Sequence, residues 1–225
     1  MNKLNHLFTL ENVSQENAQK LFSDKAIELF EHCSIKQGKV EYKFLEVEFY
    51  FWSETHQDNR YTDKKDDKKR DKDLIYKRSN IEPAQYFIHN SGMDLCLKSE
   101  KAYGGILIRT LLRIDENGRK SVVLGPLGCC DAIINYTGGT SQVYPVLTYN
   151  EIADANVKLG EATRCNLPNE CPMKDSLYCF YNKAYHVDKN KWEIESKVLE
   201  RYDPRTGELS EDNYTAKPWK REVIH

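Results

Sequence analysis

The sequence predicts an α+β fold, a single mixed domain with a curved, largely antiparallel β-sheet and flanking helices. Three observations predict it. Glu41–Trp52 and Tyr103–Ile114 alternate with the period of two that belongs to strands. Residues 14–33 instead repeat their apolar side chains every three to four positions, as one face of a helix does. Hydrophobic residues make up 40% and charged residues 30% of 225 residues, which suits one domain with a sizeable core.

Ser14 is read as the cap of a helix running to about His32, with Ala18, Leu21, Phe22, Ala26, Leu29, Phe30 and Cys33 on one stripe. Ile35–Lys39 reads as a polar turn around Gly38, and the opening strand follows. Gln85–Ile88 reads as a short strand, His89–Asn90–Ser91–Gly92 as a turn, and Met93–Lys98 as a second strand. Tyr103–Ile114 is the clearest strand after the first, and Glu116–Gly118 is a turn. Gly125–Pro126 opens a helix to about Asn135, because proline suits the first helical position. Asn150 is read as the cap of a short helix ending at Gly160, and Asp175–Asn182 as a strand. Residues 187–225, polar with sparse Tyr and Trp, form an appendage packed on a domain of residues 1–186.

The chain carries 33 Lys and Arg against 35 Asp and Glu, and this net charge of −2 does not by itself favour nucleic acid. The distribution is uneven. Asp58 to Asn80 holds nine basic residues against six Asp, a run that is either a solvated loop or a binding surface. No apolar run approaches the roughly 18 residues needed to span a membrane. The first residues lack the apolar core and cleavage site of a secretory signal. Seven cysteines without framework spacing point to a reducing compartment, so the expected location is the cytoplasm. Cys165, Cys171, Cys179 and His186 lack the regular spacing of a zinc site. No GxSxG, Walker or Rossmann pattern occurs, and Gly104–Gly105 does not stand at a strand-to-helix turn. No metal or redox cofactor is therefore expected.

In Glu41–Trp52 the odd positions Leu45, Val47, Phe49 and Phe51 make an apolar row. The even positions Tyr42, Phe44, Glu46, Glu48, Tyr50 and Trp52 are aromatics interrupted by two carboxylates. A wet face would not carry four aromatics, so this row reads as the lining of a cleft. Partial burial, with Glu46 roughly 7 Å along the strand, favours a Glu48 carboxyl that exchanges protons near neutral pH. The plain alternative is that each Glu pairs with a Lys or Arg of a neighbouring strand. In Tyr103–Ile114, Ile106, Ile108, Thr110, Leu112 and Ile114 make one row, and Arg109 falls in the other between apolar neighbours. There it needs an anionic partner, for which Glu46, Glu48 and a phosphate qualify.

Read in order, these signals are an E-x-E-x-Y strand, a His soon after it, a basic loop, a strand–Ser-Gly-Met–strand unit, GGILIR, and a GP that opens a helix. The succession resembles the 3-methyladenine (alkyladenine) DNA glycosylase family, whose members show an ETEAY-like strand, a nearby His, a YxxYGM-like hairpin, a VLLR strand and a following GP. The resemblance runs from Leu21 to Tyr181 and takes in Ala162–Leu167 as a late segment. It implies the glycosylase fold, with Glu48 activating the water that attacks the sugar C1′. It also implies that Tyr50 and His56 sandwich the flipped-out base, and that Arg109 lies beside the water and target nucleotide. The contact positions it implies for substrate continue through Tyr86, Ile88, His89, Ser91 and Lys98. Backbone contacts would come from the 58–80 loop and Lys98.

The chain departs from that family at three positions. Ser91 stands where an aromatic fills the gap left by the flipped base, and a serine cannot plug a base stack. Ile88 replaces a pocket aromatic, with Tyr86 and Phe87 beside it, and Lys98 replaces a pocket Asn. A different base, a single-stranded or RNA substrate, or lost catalysis all stay open. The expected function is a monomeric DNA base-excision N-glycosylase acting on DNA, single-stranded or modified, with no membrane partner. Two other readings remain: a catalytically silent nucleic-acid or nucleotide-binding module of the same fold, and a small-ligand-binding protein.

Overall fold

The computed structural model describes residues 3–58, 77–134, 144–165, 167, 171–187, 191–194 and 197–211. A short helix, α1 (Lys3–Phe8), precedes α2 (Ala18–His32). The stripe of α2 is as the sequence reads: Ala18, Phe22, Ala26, Leu29 and Phe30 are buried. Its cap is Asn17 rather than Ser14. Ser14 lies in the turn before the helix, where its N–H donates to Asn17 Oδ1 at 2.8 Å.

The chain then enters the sheet without the polar turn the sequence suggests. Residues 33–37 form β1 (Cys33–Gln37), and Ile35 is wholly buried. Only Gly38, at φ +60, turns the chain into β2 (Val40–Ser53). Strand β3 (His56–Gln57) folds back on the end of β2. Next come the hairpin β4 (Tyr86–His89) and β5 (Gly92–Lys98), then β6 (Tyr103–Ile114), β7 (Lys120–Leu124) and helix α3 (Pro126–Ile134). Strands β8 (Val146–Tyr149), β9 (Leu159–Ala162) and β10 (Cys179–Asn182) follow. The helix expected after Asn150 is not formed. The Asn150 and Asp154 N–H groups donate to His32 and Glu31 carbonyls at the end of α2, so these backbone groups are used across the fold rather than within a helix. The strand expected over residues 175–182 begins only at Cys179, because 171–176 is spent on turns.

Among the described residues the structure is α+β, with few helices and a large, open, mostly antiparallel sheet. Its spine is the β2–β6 pair. Along its other edge β2 meets β1, then β10, then β3, while β6 meets β7 and then β5. A small antiparallel unit, β11 (His186–Val187), β12 (Lys191–Ile194) and β13 (Lys197–Val198), follows. Then β14 (Glu200–Tyr202) adds to β7 in parallel and β15 (Leu209–Ser210) closes that edge. Trp192 and Leu199 pack with Leu45, Leu112, Val122 and Tyr181, so residues after 186 share a core with the sheet.

The two rows drawn from strict alternation are not the two faces of the sheet. Phe44 pairs with Leu111, Glu46 with Thr110 and Val47 with Ile108, so Leu45 is extra on β2 and Arg109 is extra on β6. Two compensating bulges thus sit side by side. Each shifts the alternation by one residue. Tyr42 and Phe44 therefore join Val47, Phe49 and Phe51 in the main core under α2, while Leu45 goes to the opposite face. On β6, Leu111 joins Ile106 and Ile108 in that core, and Leu112 leaves it. The main core is apolar and aromatic: Phe22 stacks on Phe49 at 5.1 Å and meets Phe51 and Tyr178 edge-on.

Candidate active site

The face of β2 opposite α2 carries Glu46, Glu48 and Tyr50, and the bulge places Arg109 among them. Glu48 is wholly buried. Its Oε1 accepts the Cys165 N–H at 2.9 Å and lies 3.1 Å from an Arg109 Nη1, and its Oε2 accepts the Tyr50 hydroxyl at 2.7 Å. Glu46 Oε1 lies 3.4 Å from Arg109 Nε, and its Oε2 accepts the Thr110 hydroxyl at 2.9 Å. The bulge brings Arg109 and Thr110 to the same carboxylate although they are adjacent in sequence. One guanidinium thus serves two buried carboxylates. Burial opposes the charge on Arg109, but Glu48 and Glu46 outweigh it and hold the group protonated. Burial, then Glu48, pushes the Tyr50 hydroxyl well above its ordinary range, so it stays a hydrogen-bond donor.

A second ion pair supports this group from behind. Arg164 is fully buried and grips Asp58 with both terminal nitrogens, at 2.5 and 2.7 Å. The same nitrogens donate to the carbonyls of Phe49 and Met173, each at 2.9 Å. Its guanidinium stacks 4.6 Å from the Tyr50 ring and 5.1 Å from Tyr178. Arg164 precedes Cys165, so this clamp fixes the backbone N–H that Glu48 accepts. The Cys165 thiol is pushed up to about 12, first by burial, and is no nucleophile at neutral pH.

A third cluster lies one strand beyond Arg109. Asp94 on β5 pairs with Leu107, which pairs with Glu48, so the three side chains share a face. Arg78 Nε donates to Asp94 Oδ2 at 2.8 Å, a second Arg78 nitrogen reaches the same oxygen, and His89 Nε2 lies 3.1 Å from it. Burial works against the Asp94 charge, yet Arg78 and His89 outweigh it and hold the carboxyl below its ordinary value. Phe87 completes the cluster, with Arg78 over its ring at 5.3 Å and the His89 ring 5.5 Å away.

Of the residues the sequence singles out, the structure therefore brings together Glu48, Tyr50 and Arg109, with His89 on the same face. The others lie apart. His56 is turned into the main core by the β2–β3 reversal, where its Nδ1–H donates to Phe51 O (3.0 Å) and Nε2 of the neutral ring accepts the Tyr178 hydroxyl (2.9 Å), with Phe22 edge-on at 5.7 Å. At 1% exposure it is no partner for a stacked base. Tyr86 pairs with Leu95 and packs on the main core; Ile88 pairs with Met93 and is 56% exposed. The members of β4 that face Asp94 are Phe87 and His89. Ser91 is exposed at the hairpin tip. Lys98 sits four residues beyond Asp94, paired with Glu82 at 2.9 Å. The basic stretch falls, over residues 59–76, outside the described residues. Cys179 and Cys171 go to Glu46 and Asp58 respectively, and among the described residues no group of three or more His, Cys, Asp or Glu gathers as for a metal. No described helix is long and apolar enough to cross a membrane.

Sequence reasoning missed Arg78, Asp94, Asp58 and Arg164. Gly105 and the Ala162–Leu167 segment were the available signals, since a glycine opposite Tyr50 leaves room for a side chain from elsewhere. Comparison of the chain with protein-family models and with curated proteins finds no match to either.

Proposed function

We propose that the protein is an N-glycosylase, of the 3-methyladenine DNA glycosylase type or a near relative, that hydrolyses the N-glycosidic bond of an extruded base with a Glu48-activated water. The observation that carries this reading is the convergence on Glu48 of three donors of different kinds: the Arg109 guanidinium, the Tyr50 hydroxyl and the Cys165 N–H. A carboxylate offers about four acceptor positions, so three donors leave one for a water. The water adds through oxygen to C1′, its proton passes to Glu48, and the C1′–N electron pair leaves with the base, which takes a proton from solvent. Arg109 holds the carboxylate in place and balances Glu46. The base stands on the face of Tyr50 opposite Arg164. Positive charge that develops on the sugar is stabilised by the buried carboxylates.

Two features shape the substrate. Ser91 and Asn90 at the hairpin tip offer no aromatic wedge, so bases already out of a duplex stack are favoured, in single strands or loops. His56 takes no part in the pocket and keeps only a packing role. The test is base release from oligonucleotides that carry damaged or modified bases, single-stranded and duplex, by the native protein and by Glu48→Gln. Release by the native protein, lost in the variant while salt-dependent binding persists, is the expected result. Binding without release by either form would identify a silent nucleic-acid-binding module. Normal turnover by Glu48→Gln would overturn the mechanism.

A further inference from the structure

The Arg78–Asp94 pair is built in a way that an ion pair serving stability alone does not need. Both residues are buried, at 2% and 0% exposure, and both Arg78 contacts converge on a single oxygen, Asp94 Oδ2. Among the described residues, Arg78 Nη1 and Asp94 Oδ1 are left buried without a hydrogen-bond partner. Two such atoms cost roughly 1–3 kcal/mol each; in the Arg164–Asp58 pair of the same molecule Arg164 Nε is likewise without a partner among the described residues, but both carboxylate oxygens are engaged. The sequence makes room for Arg78 on this face. A Cβ on Gly105 would stand 2.6 Å from Arg78 Nε and 3.0 Å from Asp94 Cβ, so only glycine lets the guanidinium lie on the strand. Gly105 is the cross-strand partner of Tyr50, and Leu107, next on that face, is the partner of both Glu48 and Asp94. Asp94 thus lies two strand spacings, about 10 Å, from Glu48 across the sheet, which is the scale of a base and its sugar.

We propose that Arg78 and Asp94 form a recognition subsite for the polar edge of the bound base, and that the edge it takes is a lactam, with a ring N–H beside a carbonyl. The chemistry follows from what the two residues do. Asp94 is held ionised by Arg78 and His89, so it only accepts; Arg78 only donates. A ligand edge must therefore present an N–H to Asp94 and an acceptor to Arg78. The ring N–H of a lactam is more acidic than an exocyclic amine and makes the stronger bond to a carboxylate, and its carbonyl is the natural acceptor for a guanidinium. An edge methylated on that nitrogen brings a methyl group to a buried carboxylate and leaves it without a donor. The subsite rests on the base-excision reading for its place, since it lies beside Glu48 and Tyr50, but its ligand chemistry is tested apart from catalysis.

The experiment is calorimetric titration of the intact protein with 1-methyluracil and 9-methylhypoxanthine, and with 1,3-dimethyluracil and 1,9-dimethylhypoxanthine; in all four a methyl group blocks the glycosidic nitrogen, so the members of each pair differ only in the lactam N–H and none has a glycosidic bond to cleave. The expected result is that the base with the free lactam N–H binds about tenfold or more tightly than its counterpart methylated there. The double variant Arg78→Met/Asp94→Leu replaces the pair with apolar residues of similar volume, a change that a fold often tolerates. It is expected to keep its thermal midpoint and to bind both members of each pair equally weakly. Equal affinity of the native protein for the two members of a pair, no binding of any of the four, or unchanged selectivity in a folded double variant would overturn the subsite. Failure of the base-excision reading looks different: no base release from any oligonucleotide, whatever the free bases do.

Discussion

The two faces of the β2–β6 pair lie on one backbone, yet one holds only apolar and aromatic side chains while the other buries three charged groups, with a fourth on the next strand. Towards α2, Phe44, Val47, Phe49 and Phe51 meet Ile106, Ile108 and Leu111 in a core whose composition needs no account beyond burial. On the opposite side Glu46, Glu48 and Arg109 are 4%, 0% and 8% exposed, with Asp94 at 0% one strand further. Buried ion pairs are a poor route to stability, because desolvation offsets their attraction. A fold that needed only to hold β2 against β6 would have repeated the first face on the second. The difference teaches that the second face is organised around buried charges rather than around packing, and that the paired bulges at Leu45 and Arg109 are how the strand serves both faces.

Substitutions on the two faces separate these roles. The largest effect is expected from Glu48→Gln, with base release reduced by about a thousandfold or more, as for loss of a group acting on the transition state, and a thermal midpoint close to the native one. Phe49→Ala, one residue away and pointing the other way, is expected to cost about 3–5 kcal/mol of stability, read by urea unfolding. Its activity per folded molecule is expected to stay near the native level. If Glu48→Gln unfolds the protein while Phe49→Ala silences it, the assignment of the faces is wrong. Arg164→Met tests the clamp between them. It strands Asp58 in the interior and is expected to cost about 3–5 kcal/mol, and it frees Cys165, so base release falls in the remaining folded protein as well. A loss of stability with full activity would show that Arg164 supports the fold and not the site.

How much of this was legible in the sequence depends on how local the signal is. Tyr103–Ile114 is a strand over its full expected span because twelve residues of alternation leave no other reading. That Arg109 meets an anion follows from a single rule, that a cation between apolar neighbours needs one; the rule left Glu46, Glu48 and a phosphate open, and the fold brings it to both carboxylates. The bulges were not legible, because Leu45 and Arg109 are ordinary strand residues, and alternation drawn through them assigns Tyr42 and Phe44 to the wrong face. Asp58–Arg164 and Arg78–Asp94 join residues 106 and 16 apart with no pattern between them, so only the folded chain brings them together. His56 occupies the expected place along the chain but the β2–β3 reversal turns its ring into the core, an outcome set by tertiary packing against Phe22 and Tyr178. Asn150 shows the converse error: a residue type that favours helix caps stands instead where the backbone joins the end of β8 to the end of α2.

A smaller effect is expected at the hairpin tip. Ser91→Tyr supplies an aromatic where the tip has none, and stacking on a base is worth about 1–3 kcal/mol. The variant is therefore expected to improve binding to duplex over single-stranded oligonucleotides by about fivefold or more, in competition at fixed salt. An unchanged ratio would place the tip away from the nucleic acid.

The smallest effect belongs to His56, and it concerns the apolar face. Burial lowers its pKa below the ordinary 6.5, with Asp58 and the Phe51 carbonyl opposing the shift and Arg164 adding to it. The neutral ring is the folded form. As pH falls below about 6.5 the unfolded chain takes up a proton that the folded chain refuses, so stability is complete above that value and declines as pH drops towards the lower folded pKa. The slope for one such group is at most about 1.4 kcal/mol per pH unit. Asp94, held below its ordinary 3.8, loses its contribution only in a more acid window, so the two titrations are separable. Urea unfolding of the native protein between pH 7 and 5, on the order of ten steps, should show this decline. In His56→Gln it should be flattened, at some cost in stability at pH 7 from the lost Tyr178 contact. If the slope persists in the variant, the proton is taken up elsewhere, and the core face is not as free of titrating groups as its contacts imply.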